Sequence, residues 1–315
     1  MKTTHLMYMP FSGLGLYSGF RGNSWLRNRI QIFKQFVIPS LQNQTSKNFI
    51  LWISWRFQER YNTQVKDLMN YTDAIKDFKT VHTFNGLCFW DDKLPEAEAR
   101  SKLLGNVHGS IGELTDVTGD NDYVLMTIQP SDDCYHKESV KEVQLAFEKH
   151  PELEAIGFSK GYIADYVNKK VAEYDPYTNP PFYTIKFPRG VFIDPLKHVE
   201  FTALKKDVGI YKKGVPCPSH EYIGSALKYG VIKERGFLVG THSENISTIW
   251  NHPFKGQLVD EEVLKDFGIY DAFPLKIRTN VFKRLFKMLP HRIQRKLRYW
   301  FGELIYNKIH AKIFS

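Results

Sequence analysis

Asp132 and Asp133 stand side by side at the end of the apolar run "YVLMTIQ", just before the amphipathic stretch "KESVKEVQLAFEKH". A strand that ends in carboxylates ahead of a helix puts them at the C-terminal edge of a sheet, where open α/β proteins bind their ligands. Carboxylates there are oxygen ligands of the kind that Mg²⁺ and Mn²⁺ accept. The competing use is structural, since Ser131, Asp132 or Asp133 could cap the helix that follows. A second group lies in "PSHEYIG", where Glu221 and His220 are proton acceptors near a predicted helix start. A helix N-terminus stabilises the Glu221 anion, which lowers its pKa and weakens it as a base. His242, after the strand-like "FLVG", and His252, ten residues on, complete the set of imidazoles near loops.

The elements that must position these groups alternate. "THLMYMPF" and "NFILWISW" read as buried strands, and between them Leu26, Ile30, Phe33, Phe36 and Val37 fall at helical spacing. A helix around "TQVKDLMNYTDAI", a strand "KTVHTF", a helix in "PEAEARSKLLGNVHGSIGEL" and the strand before Asp132 extend the β-α-β pattern. This alternation predicts an α/β fold with a mostly parallel sheet flanked by helices. Beyond Pro151 extended segments dominate, with one helix expected near "SHEYIGSALKYG" and a loop at "SENISTIWNHPFKG".

At 315 residues the chain can bury a large core without staples. Three cysteines at wide spacing support neither a disulfide framework nor a zinc knuckle and fit a reducing cytosol. The N-terminus lacks the pattern of a signal peptide, and no run approaches the ~18 apolar residues of a membrane span. From Asp271 onward there are eleven Lys/Arg against two Asp/Glu, which is the whole of the net charge of +9; the first 270 residues carry 32 of each sign. A nucleic-acid-binding fold would spread its cations over a face of the core, so this distribution argues against one.

Three stretches, "RIQIFKQFVIPSLQNQTSKNFILWIS", "YVLMTIQPSDDCYHKES" and "GFLVGTHSENISTIWNHPFKG", resemble the GT-A glycosyltransferases, in particular the bacterial rhamnosyltransferase family related to family 2 enzymes. The resemblance covers about residues 5 to 256. It implies a GT-A-like, Rossmann-like domain over 1–270, with a nucleotide-sugar half (1–150) and an acceptor half (151–270). It further implies transfer of a sugar from a nucleotide-sugar donor to a surface polysaccharide or lipid-linked glycan, with inversion and with Mn²⁺ or Mg²⁺. On that reading Asp133, Asp132 and His242 hold the metal, Ser131 and Asp132 meet the donor, and Arg100, Lys102 or Arg29 meets the diphosphate. Glu221 or His220 is then the base, and Trp250 or Phe182-Tyr183 stacks on a sugar. Two departures stand out: Pro130 replaces the first acid of the family's Asp-x-Asp-Asp, and strand two ends in Trp55-Arg56 where relatives carry an acid for the base. They leave a non-catalytic sugar-binding or scaffold protein as the alternative.

The tail, 271–315, places Val281, Leu285, Met288 and Leu289 on one helical stripe and Ile293, Leu297, Trp300, Phe301, Leu304 and Ile305 on a second, separated by Pro290. Basic amphipathic helices of this kind suit an anionic membrane surface. The expectation is a cytoplasmic protein held peripherally at the inner face of the cell membrane.

Overall fold

The computed structural model describes residues 2–12, 23–85, 108–242, 245 and 248–276. The expectations for Arg100, Lys102 and the tail's helical stripes from Val281 onward lie outside them. Strands β1 (Thr3–Pro10), β2 (Ile50–Ser54), β3 (Lys79–Thr83) and β4 (Tyr123–Ile128) are parallel, in the order β3-β2-β1-β4. The chain builds outward from β1 through β2 to β3, then crosses to the other side of β1. That reversal opens a crevice at the C-terminal ends of β1 and β4.

Residues of β1 alternate between two cores, as a strand covered on both faces must. Met7 and Met9 pack with Leu26, Ile30 and Phe33, while Leu6 and Tyr8 pack with Ile111 and Leu114 of the helix over 108–118. The predicted opening helix is one helical run: α1 (Asn23–Ile32), a π-turn (Phe33–Val37) and α2 (Ile38–Gln42). Pro39 cannot donate to the carbonyl four residues back and its ring would crowd that group. The wider π-turn just before it, where the Ile38 N–H bonds Phe33 O, relieves the conflict. The helices predicted near "TQVKDLMNYTDAI" and after Asp133 form as Thr63–Asp73, with Asn62 as its N-cap, and Ser139–Lys149.

Beyond β4 the sheet becomes mixed. β6 (Ala155–Asp165) and β7 (Lys170–Tyr174) make a hairpin, and β8 (Tyr183–Pro188) lies between β6 and β4, antiparallel to both. The long β9 (Tyr229–Thr241) runs parallel to β6 and also pairs with the two-residue β5 (Cys134–Tyr135). β10 (Lys255–Val259) edges β7. Parallel pairing therefore runs through the first half and returns in the second as the β6–β9 ladder. The helix expected in "SHEYIGSALKYG" is two short pieces, a 3-10 turn His220–Tyr222 and one α turn Ile223–Ala226. Gly224 and the following Tyr229-Gly230 strand start give it no room to extend.

Three histidines are packed inside this frame. His5 bonds Thr127 Oγ1 (2.7 Å), His82 accepts the Trp55 indole N–H (2.9 Å), and the His198 ring lies over Phe187 at 4.4 Å. Burial holds their pKa values down, to about 3, about 4 and about 4 respectively. An unfolded histidine titrates near 6.5, so between these limits the unfolded chain binds more protons than the folded one. Their contribution to stability is present above pH ~6.5 and is lost as pH falls, at up to ~1.4 kcal/mol per pH unit for each group. In urea titrations at pH 7 and pH 4.5, His198→Asn should lose less stability on acidification than the natural protein. Equal losses would contradict the burial of a neutral imidazole.

A buried carboxylate cluster as the candidate active site

The turn after β4 carries Asp132 and Asp133 to the crevice, and the two side chains take different partners. Asp132 Oδ2 is in a salt bridge with Arg29 of α1 and lies 3.1 Å from His242 Nε2, just past β9. Asp133 Oδ1 accepts the Gly240 N–H at 2.9 Å. Three of the residues that the sequence offered, from positions 29, 132 and 242, therefore meet at one carboxylate oxygen. Arg29 is only 4% exposed, and its ion pair is shielded from water.

Burial alone would raise the pKa of both carboxyl groups. At Asp132 the Arg29 and His242 charges and hydrogen bonds outweigh it and hold the group well below the usual carboxylate range. At Asp133 burial and the neighbouring Asp132 charge act together, against weaker help from the Gly240 N–H, and push it well above that range. One carboxylate is fixed as an anion and its neighbour readily holds a proton.

The scaffold of this arrangement comes from residues to which sequence reasoning gave no role. Ser40 and Gln44, of the quoted "PSLQNQT", are buried and grip the backbone of β5. Ser40 Oγ donates to Tyr135 O (2.8 Å) and accepts from Tyr135 N (3.1 Å), while Gln44 Nε2 donates to His136 O (2.9 Å) and its Oε1 accepts from Val140 N (3.2 Å). The helical run that supplies Arg29 thus also clamps the segment after the aspartates. Tyr166, stacked on Phe36 at 3.8 Å, donates to Asp132 O (3.0 Å), and Gln129 Nε2 donates to Asp133 O (2.9 Å). Gly240 is required here: a Cβ would lie 2.3 Å from the Tyr166 ring and 2.5 Å from Asp132 O. A glycine inside the strand-like "FLVGTH" is the signal that marked this close approach.

The other candidates lie elsewhere. Ser131 is half-buried in the same turn, and no hydrogen bond of Ser131, Asp132 or Asp133 caps the Ser139–Lys149 helix among the described residues. Glu221 is exposed, with Oε1 3.4 Å from Thr178 Oγ1; His220 Nδ1 bonds Asn179 O, and burial lowers its pKa. Both lie in the turn His220–Tyr222, and their partners Thr178 and Asn179 belong to the loop before β8, whose start faces the tip of β4 in the register Thr127↔Thr184. His252 contacts Tyr174 and Phe254. Phe182 and Tyr183 are core residues, since Phe182 stacks on Phe237 at 4.1 Å, and their rings are closed to a sugar. Trp250 is half-buried with Lys255 Nζ 4.6 Å from its ring centre. At the tip of β2 an acid is present after all: Glu59, in the turn Phe57–Tyr61, is buried, accepts from Ser12 Oγ and lies 3.3 Å from Arg56 Nη2. The Arg-x-x-Glu spacing in "WRFQER" was its sequence signal.

A divalent cation would find two donors. Asp132 and His242 are separated by the distance of two ligands on one ion, about 3 Å for bonds of ~2.1 Å at a right angle. Asp133 is engaged with Gly240, and among the described residues no group of three His, Cys, Asp or Glu side chains forms a metal cage. A pair of protein ligands fits an ion whose remaining positions are filled by phosphate oxygens and water.

Residues 20–83 match the family described as "Putative rhamnosyl transferase". This span holds Arg29, Ser40, Gln44, β2 and β3 and stops before the aspartates, so the first part of the chain is glycosyltransferase-like in sequence. No curated protein matches the chain. It is similar over 76% of its length to the structure of residues 1–349 of S. aureus TarS, with 11% identity, a TM-score of 0.38 and 60% of that chain covered. A second S. aureus TarS structure gives 10% identity, a TM-score of 0.36, and 76% and 37% coverage of the two chains. A protein of Desulfovibrio desulfuricans G20 described as a "putative nucleotide-diphospho-sugar transferase" gives 12% identity, a TM-score of 0.33, and 76% and 82% coverage. The chain spans less than two thirds of either TarS chain.

Removing Arg29 leaves Asp132 buried without its main counter-charge, and breaking such a pair costs about 3–5 kcal/mol. Arg29→Gln should lower unfolding stability by that order in urea titrations. Asp133→Asn, which keeps an oxygen for the Gly240 N–H and removes no fixed charge, should cost less than about 1 kcal/mol. The reverse ranking would refute the assignment of charge within the pair.

Proposed function

We propose that the protein is a metal-dependent GT-A glycosyltransferase that moves a sugar from a nucleotide diphosphate donor to a glycan or lipid-linked acceptor, with inversion at the anomeric carbon. The observation that carries this reading is the Arg29–Asp132–His242 cluster at the switch point of the parallel strands, with Arg29 inside the segment matched to the rhamnosyltransferase family. Transfer breaks the bond between the anomeric carbon and the diphosphate, and negative charge gathers on the departing oxygens. A bound Mn²⁺ or Mg²⁺, held by Asp132 and His242, supplies Lewis-acid stabilisation of that charge.

Arg29 keeps Asp132 ionised and aimed at the crevice, and Asp133 fixes the turn against β9. Glu221 takes the proton of the attacking hydroxyl, from a loop at the same edge of the sheet. His220 stands beside it as the second acceptor: its Nδ1 faces a carbonyl, so Nε2 bears the lone pair. The pairing of Asp132 with Arg29 also favours a second reading, a sugar-binding protein whose carboxylate is neutralised from within and which binds nucleotides without transferring sugar.

A thermal-shift screen of nucleoside diphosphates with and without Mn²⁺ separates the two. The transferase reading expects stabilisation by one nucleotide that grows with Mn²⁺ and is lost in Asp132→Asn. Turnover in Glu221→Gln should fall about 10²- to 10⁴-fold with nucleotide binding intact. If His220→Gln shows that loss instead, His220 is the base. Nucleotide binding indifferent to Mn²⁺ and to Asp132→Asn would overturn the metal role.

Among the described residues no helix is long and apolar enough to cross a membrane. The basic segment from Asp271 would hold the protein peripherally at an anionic surface, where each Lys or Arg contributes about 1 kcal/mol. Flotation with anionic liposomes at low salt should carry the full chain, and a chain ending at 270 should stay behind. Equal flotation of both would refute this attachment.

A further inference from the structure

The loop between β7 and β8 holds an aromatic side chain that the core does not use. Tyr177 is 90% exposed, in the sequence Asp175-Pro-Tyr-Thr-Asn-Pro-Pro181. The loop is held at both ends. Asp175 accepts two hydrogen bonds from Arg235, Asn179 O bonds the His220 ring, and Pro176, Pro180 and Pro181 fix φ at their positions. An exposed tyrosine gains little from burial, and a loop anchored in this way displays the ring in one place.

Tyr177 is also the outer end of a row of rings. It meets Phe254 edge-on at 4.9 Å, Phe254 meets His252 at 5.3 Å, and His252 meets Tyr174 at 5.2 Å. The His252 ring is fixed by accepting the Phe254 N–H. Tyr174, the inner end, is buried. The row therefore leads from the core to the surface. Polar groups accompany the outer ring: Thr178, the next residue, donates to Glu221.

A flat apolar ring flanked by a hydroxyl and a carboxylate matches a pyranose, which has a face of C–H bonds and a rim of hydroxyls. We propose that Tyr177, backed by Phe254, is the platform on which a pyranose ring of the glycan acceptor stacks, with Thr178 and Glu221 meeting its hydroxyls. The assignment of that sugar as the acceptor rests on the transferase reading; the presence of a pyranose-binding surface does not. Phe182 and Tyr183, five and six residues along the chain from Tyr177, are closed to this role by their burial.

The test uses the full chain without donor or metal. Saturation-transfer NMR with methyl α-L-rhamnopyranoside, methyl β-D-glucopyranoside and methyl N-acetyl-β-D-glucosaminide as probes should show transfer to ring C–H protons of at least one. Tyr177→Ala should weaken that binding about three- to tenfold, the range that ring contacts of this kind carry, and Tyr177→Phe should preserve it. Melting temperature and nucleoside diphosphate binding should be the same in all three proteins. No transfer from any probe in the natural protein, or equal transfer in Tyr177→Ala, overturns the platform. So does a Tyr177-dependent dimer in sedimentation, which would assign the ring to a second copy of the chain. Sugar binding that depends on Tyr177, in a protein that binds no nucleotide, would instead keep the platform and remove the transferase reading.

Discussion

Two adjacent carboxylates in a dry turn cannot both keep their charge without help, and the arrangement around Asp132 and Asp133 answers that constraint. Interaction between like charges strengthens as water is excluded. The turn splits the pair: Asp132 faces the Arg29 guanidinium and the His242 ring, and Asp133 faces a backbone N–H. A guanidinium, always charged and only weakly hydrated, is the side chain best suited to follow a carboxylate into such a place.

That demand reaches far along the chain. Arg29 must arrive from α1, more than a hundred residues before its partner, and His242 from the far end of β9. The helical run that delivers Arg29 turns its other end onto β5 through Ser40 and Gln44. β5 in turn pairs with β9, which delivers Gly240 and His242. The circuit closes through Tyr166, packed against Phe36 of the π-turn and bonded to the Asp132 carbonyl. Displacing any one member loosens the support of the next, and the first and second halves of the sheet are joined through this ring of contacts.

Local signals made the first half legible. The period of Leu26, Ile30, Phe33, Phe36 and Val37 reported a buried helical face, and all five are buried. The apolar runs of β1, β2 and β4 reported strands covered on both sides. The position of Asp132 and Asp133 at a strand tip followed from order alone. What could not be read was pairing. Nothing near Arg29 names Asp132, and the use of Ser40 and Gln44 is defined only by a strand nearly a hundred residues away. In the second half, antiparallel pairs formed across long separations carry no local period, and a short apolar stretch containing Gly224 read as a helix although it makes only isolated turns. Aromatics were the least legible. Phe182, Tyr183 and Tyr177 occupy one loop and its edge, and only packing distinguishes core rings from a displayed one.

The charge state of the cluster bears on the chemistry proposed for it. With Arg29 opposite Asp132, and Asp133 inclined to hold a proton, the positive and negative charges of these groups nearly cancel before any ligand arrives. In the proposed reaction a nucleotide diphosphate would bring further negative charge, and the departing diphosphate would concentrate it as the sugar leaves. Arg29 is already committed to Asp132, so the neutralising charge has to come with the ligand or from a cation beyond this cluster. A divalent ion held by Asp132 and His242 would meet that requirement, supplying charge stabilisation with two protein donors. On the proposed reading Arg29 would act on the reaction through Asp132, by holding it as an anion in place, and Asp132 and His242 would be the residues that hold the ion.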